Sequence, residues 1–325
     1  MRVLVTGAAG FIGSHTTEAL VARGHRVVGV DAFDGYLYPA EVKRRNAHHL
    51  AATLGDRFAL IEADICDADA MRTACADVDV VCHLAALAGV RPSIAEPQKY
   101  VRTNLHGTTN ILEAVRAGGH KRLVFASSSS VYGAKLGTAP AAVAAFREDD
   151  PCLHPASPYA ATKRAGELLC SSYRDLFGIG ISSLRFFTAY GPRGRPDMAV
   201  YKFVDGIAHE RPIAVYGDGS SRRDYTFVGD IAQGVASACE RVEPGAFNIY
   251  NLGNTQTVSL AEMLGHCERV VGKRAILDRQ PEQPGDVPVT YADITRAQRD
   301  LDYRPTVDFP TGLAAFWDWY QRDRG

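Results

Sequence analysis

Tyr159 and Lys163 are the residues of this 325-residue chain whose types and spacing most directly suggest chemistry. They stand four apart in Ser157-Pro158-Tyr159-Ala160-Ala161-Thr162-Lys163, where Pro158 suits the first turn of a helix because its missing N–H is not needed there. Residues at i and i+4 share a helix face, so phenol and ammonium can act together. A neighbouring cation favours phenolate over phenol, which makes the tyrosine a usable base toward an alcohol. The same spacing fits an ordinary helix with a solvated lysine, so the elements around the pair must decide.

The first such element opens the chain. Arg2–Thr6 is a β-branched apolar run, followed by Gly7-Ala8-Ala9-Gly10-Phe11-Ile12-Gly13 and a helical pattern that stops at Gly24. In this strand–turn–helix context Gly7 allows the tight turn and Gly13 lets the helix pack on the strand. Gly10, with Phe11 and Ile12 at the helix start, brings backbone to a pyrophosphate. A second strand over residues 26–30 runs into Asp31, whose carboxylate can accept from both ribose hydroxyls and would repel a 2′-phosphate. NAD is therefore expected rather than NADP, with a loop carboxylate capping something local as the alternative. Further strands are predicted over residues 58–63, 79–83 and 122–126, ending in Asp64-Ile65, Leu84-Ala85-Ala86 and Ser127.

Strands alternating with helices predict an α/β fold with a Rossmann-type doubly wound parallel sheet, in which ligands bind beyond the C-terminal strand ends. Asp64 and Ile65 are candidates for the adenine edge, and Leu84, Ala85 and Ala86 for the wall of the dinucleotide groove. A helix is predicted over residues 97–117, with Val101, Leu105, Thr108, Leu112 and Val115 in one stripe; the Tyr159 helix continues through Ala165, Leu168, Leu169 and Tyr173. Two such helices could pair across a two-fold axis, so a homodimer is expected. Apolar residues make up 46% and charged residues 22% of the chain, with a net charge of −1, which gives no reason to expect a nucleic-acid or membrane partner. The seven cysteines (66, 75, 82, 152, 170, 239, 267) are odd in number, lack a CxxC pair and read as buried thiols in a reducing compartment. A cytoplasmic protein without a metal centre is expected.

Gly7-x-x-Gly10-x-x-Gly13, Ser127-Ser128-Ser129-Ser130-Val131-Tyr132-Gly133 and Tyr159-x-x-x-Lys163 together resemble the extended short-chain dehydrogenase/reductase superfamily, in its sugar-nucleotide epimerase and dehydratase branch. The resemblance implies a tightly bound NAD⁺ and a catalytic group in which Ser128 hydrogen-bonds the substrate hydroxyl and Tyr159 takes its proton. Lys163 would bind the nicotinamide ribose while lowering the tyrosine pKa, and Asn104 is a candidate for orienting Lys163 through water. Dehydratases and decarboxylases of the branch carry acidic residues just before Val-Tyr-Gly; Ser129 and Ser130 stand there instead, which favours oxidation and re-reduction at one carbon.

The second half addresses the sugar. After a strand over residues 180–185 comes a loop over residues 186–199, in which Tyr190-Gly191-Pro192-Arg193-Gly194-Arg195-Pro196-Asp197-Met198 resembles UDP-glucuronate 4-epimerases, as does the segment 34–46. A sugar acid needs a cation and a hydroxyl for its carboxylate, and Arg195 (or Arg193) and Thr188 are the candidates. The resemblance extends the substrate set to Arg91, Ser127, Ser128, Ser129, Ala199, Phe203, Val215, Tyr216, Arg223 and Asp286. Val215 and Tyr216 would flank uracil, Arg223 would bind the diphosphate and Asp286 the uridine ribose. The expected organisation is an NAD-binding unit of residues 1–185 plus about 226–250, and a smaller mixed α/β UDP-sugar unit of about 186–225 and 251–325. The activity implied is C4 epimerisation of UDP-glucuronate to UDP-galacturonate. UDP-glucose/UDP-galactose epimerisation, or a non-catalytic NAD-binding module, are the alternatives.

Overall fold

The computed structural model describes residues 1–119, 121–133, 144–281 and 289–324. In chain order its elements are β1 (Arg2–Thr6), α1 (Phe11–Ala22), β2 (Arg26–Asp31), α2 (Ala40–Leu54), β3 (Phe58–Glu62), α3 (Ala68–Cys75), β4 (Val80–His83), α4 (Val90–Ala95), α5 (Pro97–Tyr100), α6 (Gly107–Gly118), β5 (Arg122–Ser128), α7 (Pro158–Phe177) and β6 (Gly180–Phe186). They continue with β7 (Thr188–Tyr190), α8 (Ala199–Ala208), β8 (Pro212–Tyr216), β9 (Arg222–Phe227), α9 (Val228–Arg241), β10 (Phe247–Leu252), β11 (Thr257–Ser259), α10 (Leu260–Val271), β12 (Ile276–Gln280), α11 (Thr295–Leu301) and α12 (Phe309–Arg324).

Seven strands form one parallel sheet in the order β3-β2-β1-β4-β5-β6-β10. The chain builds outward from β1 to β3, then crosses back to lay β4 on the other side of β1. This reversal places the switch point, and hence the ligand crevice, between β1 and β4. Runs such as Val3-Leu4-Val5 and Val80-Val81-Cys82 are apolar on consecutive residues because helices cover both faces. One face packs Leu20 of α1, Ile231 and Val235 of α9 and Leu301 of α11 on the sheet. The other packs Met71, Ile111, Leu112, Val115 and Cys170. Each such fully buried side chain contributes on the order of 2 kcal/mol of transfer free energy.

A third cluster, rich in aromatics, gathers Tyr201, Val204, Ile213, Met263, Phe309 and Phe316 beside two small sheets, β11-β9-β7 and β12-β8. Ala292, Ile294, Ala297, Leu301 and Tyr303 do not join it; they pack in the first cluster, against β10 and α9. Two features depart from the sequence pattern. Val101–His106 is a π-helical turn that interrupts the helix expected over 97–117, leaving Val101 exposed while burying Thr108, Leu112 and Val115. The run 216–225, whose glycines and charges suggest a turn, contains most of β9, which pairs with β7 through Thr188 and Tyr225. Among the described residues no helix is long and apolar enough to cross a membrane.

Candidate active site

A cavity of about 400 Å³ runs along the C-terminal ends of β1, β2, β4, β5 and β6. Gly7 has φ +70°, and a Cβ there would stand 2.9 Å from the Ala85 nitrogen. A Cβ on Gly13 would lie 1.9 Å from the Gly7 carbonyl oxygen, so this glycine seats α1 on the turn itself rather than on the strand. Gly10, Phe11, Ile12 and Gly13 line the cavity, and α1 begins there without a side-chain cap, leaving first-turn N–H groups for an anion. Asp31 is buried at the end of β2; Oδ2 accepts from the Ala9 N–H at 3.1 Å and Oδ1 from the Phe33 N–H at 2.9 Å. Burial raises its pKa, and the two backbone bonds and Lys43 oppose that rise. Each oxygen keeps a lone pair for a ribose hydroxyl, and a 2′-phosphate would face a buried anion. Asp64, Ile65, Leu84, Ala85 and Ala86 line the same cavity. A floor that side chains would fill, a bare helix start and an acidic strand end fit NAD.

The chemistry-bearing residues meet where α7 crosses β5. Ser157 caps α7 through its hydroxyl on the Ala160 N–H at 3.1 Å, and Pro158 fills the first turn as the sequence predicts. Gly166 lets the helix approach: a Cβ there would stand 2.5 Å from the Phe125 ring. Tyr159 lies beside the Ser128 hydroxyl; burial raises its pKa, while that hydroxyl and the charge of Arg195 pull it down. Lys163 donates to the Ala126 carbonyl at 2.7 Å, and burial pushes its ammonium down to about 8. In this arrangement the cation acting on the phenol is Arg195, and Lys163 is tied to β5. Asn104, on the π turn, accepts from the Leu87 N–H at 2.8 Å and donates to the Leu87 carbonyl at 2.9 Å and to Thr162 at 3.1 Å. Its amide thus braces the wall behind the cleft, with both N–H donors used and one lone pair of Oδ1 left free of these bonds.

On the sugar side, Ser127, Ser128, Ser129, Thr188 and Arg195 line the cavity together with Tyr159. Arg195 holds Asp197 with two bonds, Nε to Oδ1 at 3.0 Å and Nη2 to Oδ2 at 2.5 Å. Arg193, the other candidate for the carboxylate, turns away: it pairs with Glu18 and donates to His15 Nδ1 at 2.9 Å. The hydroxyl of Ser127 points inward to Glu167 at 2.6 Å, so it reaches the cavity by its backbone. The remaining candidates lie elsewhere. Ala199 borders a small adjoining void, Phe203 and Val215 are buried in the aromatic cluster, and Tyr216 sits under the Arg91 guanidinium, 4.4 Å from its ring centre. Arg223 donates to the Arg222 carbonyl at 3.0 Å, while Arg222 bonds Thr257 and pairs with Glu262. Asp286 lies outside the described residues.

Sequence reasoning missed several lining residues, among them Tyr38, Lys43, Thr103 and Met198. Tyr38 and Lys43 lay in a segment marked only for its resemblance, though a basic and an aromatic residue shortly after the ribose-binding Asp were a usable signal. Buried Glu167 was also missed, yet it stands four residues beyond Lys163 on the helix that carries Tyr159.

A dinucleotide groove opening on a Ser–Tyr–Lys group defines the class: enzymes that take a proton from an alcohol beside a bound nicotinamide. The family described as NAD dependent epimerase/dehydratase matches residues 3–253, and the chain belongs to it. It is 39% identical over 319 residues to UDP-glucuronate 4-epimerase of Thermodesulfobacterium geofontis, spanning 97% of this chain and 95% of that one. The solved UDP-glucuronic acid 4-epimerase of Bacillus cereus, in complex with UDP-glucuronic acid and NAD, superposes with a TM-score of 0.90 at 38% identity, covering 99% of both chains. The UDP-glucose 4-epimerase of Thermus thermophilus, in complex with NAD, gives 0.86 at 32% identity, again over 99% of both chains.

Proposed function

We propose that this protein is an NAD-dependent isomerase that inverts C4 of a UDP-hexuronic acid, interconverting UDP-glucuronate and UDP-galacturonate through a 4-keto sugar. The observation that carries the substrate is the presence of Arg195 and Thr188 in the cavity that holds Ser128, Tyr159 and Lys163. Gly7, Gly10, Gly13 and Asp31 would hold the dinucleotide, which supplies the acceptor and then the donor of hydride. Ser128 orients the C4 hydroxyl, and Tyr159 accepts its proton and later returns it. The base is the phenolate, whose negative charge Arg195 and the Ser128 hydroxyl offset before it takes the proton. With C4 as a ketone, the C5 carboxylate belongs to a β-keto acid that tends to lose CO₂. Arg195, Thr188 and Ser128 keep that carboxylate in a geometry that disfavours the loss while the ring turns to its other face. The Ser–Tyr–Lys group would serve UDP-glucose equally, so the deciding test is to incubate the enzyme separately with UDP-glucuronate and UDP-glucose and identify the products. Turnover of UDP-glucose alone would remove the acid substrate.

In this reading residues 1–185 with about 226–250 bind NAD, and about 186–225 with 251–325 bind the UDP-sugar, apart from the 292–303 segment that packs on the sheet. A homodimer is supported by Leu168 and Leu176, 54% and 72% exposed on α7, and by Val101, 50% exposed. Sedimentation of the parent and Leu168→Glu proteins tests it; a monomeric parent ends the idea. All seven cysteines are free and six are buried, which supports a cytoplasmic location.

A further inference from the structure

Three consecutive residues of β5 are each held by a different turn of α7. Tyr159 lies beside the Ser128 hydroxyl, Lys163 donates to the Ala126 carbonyl at 2.7 Å, and between these strand positions the Ser127 hydroxyl donates to Glu167 at 2.6 Å. Glu167 is only 1% exposed and all its acceptor capacity is used. Besides Ser127, Oε1 accepts from Arg185 Nε at 2.8 Å, and Oε2 from Arg185 Nη2 and Arg164 Nη1, each at 2.9 Å. Arg185, on β6, is equally buried and lies 4.7 Å from the Tyr132 ring centre. Burial opposes the ionised carboxylate, but Arg185, Ser127 and Arg164 hold its pKa below the ordinary value. Such a site takes its geometry from the charge pair, because every member must stay paired to remain buried.

We infer that Glu167 is a positioning residue for the proposed proton transfer: through Ser127 it fixes the register of β5 against α7 and so sets the Ser128 hydroxyl at the Tyr159 oxygen. Ser127 is then a structural link rather than a sugar contact. The inference rests on the Ser128–Tyr159–Lys163 reading given above. An error of about 1 Å in such a constellation costs about 100-fold in rate, whereas the sugar and dinucleotide surfaces would be unchanged.

The test is Ser127→Ala, which removes one bond and leaves the Glu167–Arg185 pair intact, with Ser127→Thr as the variant that keeps the hydroxyl. Ser127→Ala is expected to lower kcat about 10- to 100-fold, with unchanged KM and unchanged UDP-glucuronate Kd by calorimetry, and Ser127→Thr to restore most of kcat. Glu167→Gln should lose kcat at least as far where thermal melting shows it folded; if it does not fold, the Ser127 pair decides. Unchanged kcat in Ser127→Ala, or a raised Kd with kcat intact, overturns the inference, and the second outcome returns Ser127 to the substrate. Tyr159→Phe runs alongside: retained turnover there removes the catalytic reading itself, independently of the Ser127 result.

Discussion

The β5–α7 seam and the loop between β7 and α8 face each other across one cavity, and they are held in different ways. On the seam, polar groups are buried and linked to partners distant in sequence: Ser127 to Glu167, Glu167 to Arg185, Asn104 to Leu87 and Thr162. Behind it His83 joins Thr6 at 2.8 Å and Thr108 at 3.0 Å, so the end of β1 is tied to α6 as well. On the loop, Arg195 is held by Asp197 two residues along, and both side chains keep some solvent contact. Long-range buried bonds fix atoms relative to the whole sheet, whereas a local pair can move with its loop. The difference suits an epimerase, because the C4 oxygen must meet the same Tyr159 twice while the sugar presents opposite faces. Hydride chemistry needs the fixed wall; turning the sugar needs the adaptable one.

The comparison breaks first at Tyr159. Tyr159→Phe removes the proton acceptor and keeps the ring that packs edge-on against Tyr100 at 6.2 Å. Epimerisation should fall about 10³-fold on either sugar nucleotide with the melting temperature unchanged. Arg195→Ala should act far more strongly on the acid, because both substrates lose its charge near the phenol and only the acid also loses a partner for its carboxylate. Loss of charge-assisted bonds worth about 1.5–3 kcal/mol predicts a roughly 10- to 100-fold fall in kcat/KM on UDP-glucuronate. On UDP-glucose the change should be smaller, and a pentose by-product should appear from the acid. Equal losses on both sugars, or no pentose, would remove the carboxylate role and leave Arg195 acting on the phenol alone. On the dinucleotide side, Asp31→Ala removes an acceptor whose two backbone bonds also shape the turn. NAD binding, measured by calorimetry on cofactor-stripped protein, should weaken about 10-fold, and discrimination against NADP should shrink with it.

The seam was more legible in sequence than the loop. The glycine spacing, Asp31, and Tyr159 with Lys163 are local patterns on regular elements, and a helix or strand period converts their spacing into direction. Partners that lie far apart in the chain were not legible. Nothing in Ser127 says that it turns inward, because its direction depends on where Glu167 arrives 40 residues later. The π turn at Val101–His106 was hidden because apolar spacing reports the face and not the winding. In the loop, Arg193 and Arg195 share composition and neighbours; φ +59° at Arg193 sends it to Glu18, a choice made by tertiary contacts.

Arg193 also supplies the smallest and most specific test, since it joins the loop to the helix that begins at the glycine turn. His15 on α1 accepts from Arg193 through Nδ1 and donates Nε2–H to the Pro192 carbonyl at 2.8 Å, which requires a neutral ring. Burial, then the Arg193 charge, push its pKa down to about 4, against the nearby Glu18 carboxylate and with His49 adding a smaller push. The folded state therefore resists a proton that the unfolded chain takes up near pH 6.5. Between that pH and about 4 the unfolded state binds more protons, so stability rises with pH and is lost on acidification, by up to about 3 kcal/mol from this group. His83, pushed down to about 3 by burial and Lys163, adds a loss of the same sign on the seam. Urea unfolding of the parent and His15→Gln proteins at several pH values separates the two. The parent should lose stability relative to His15→Gln as pH falls through this window, while the loss due to His83 persists in both. If the two curves stay parallel, the loop is not joined to α1 through a neutral His15, and the contrast between a fixed seam and a locally held loop extends to the Arg193 end as well.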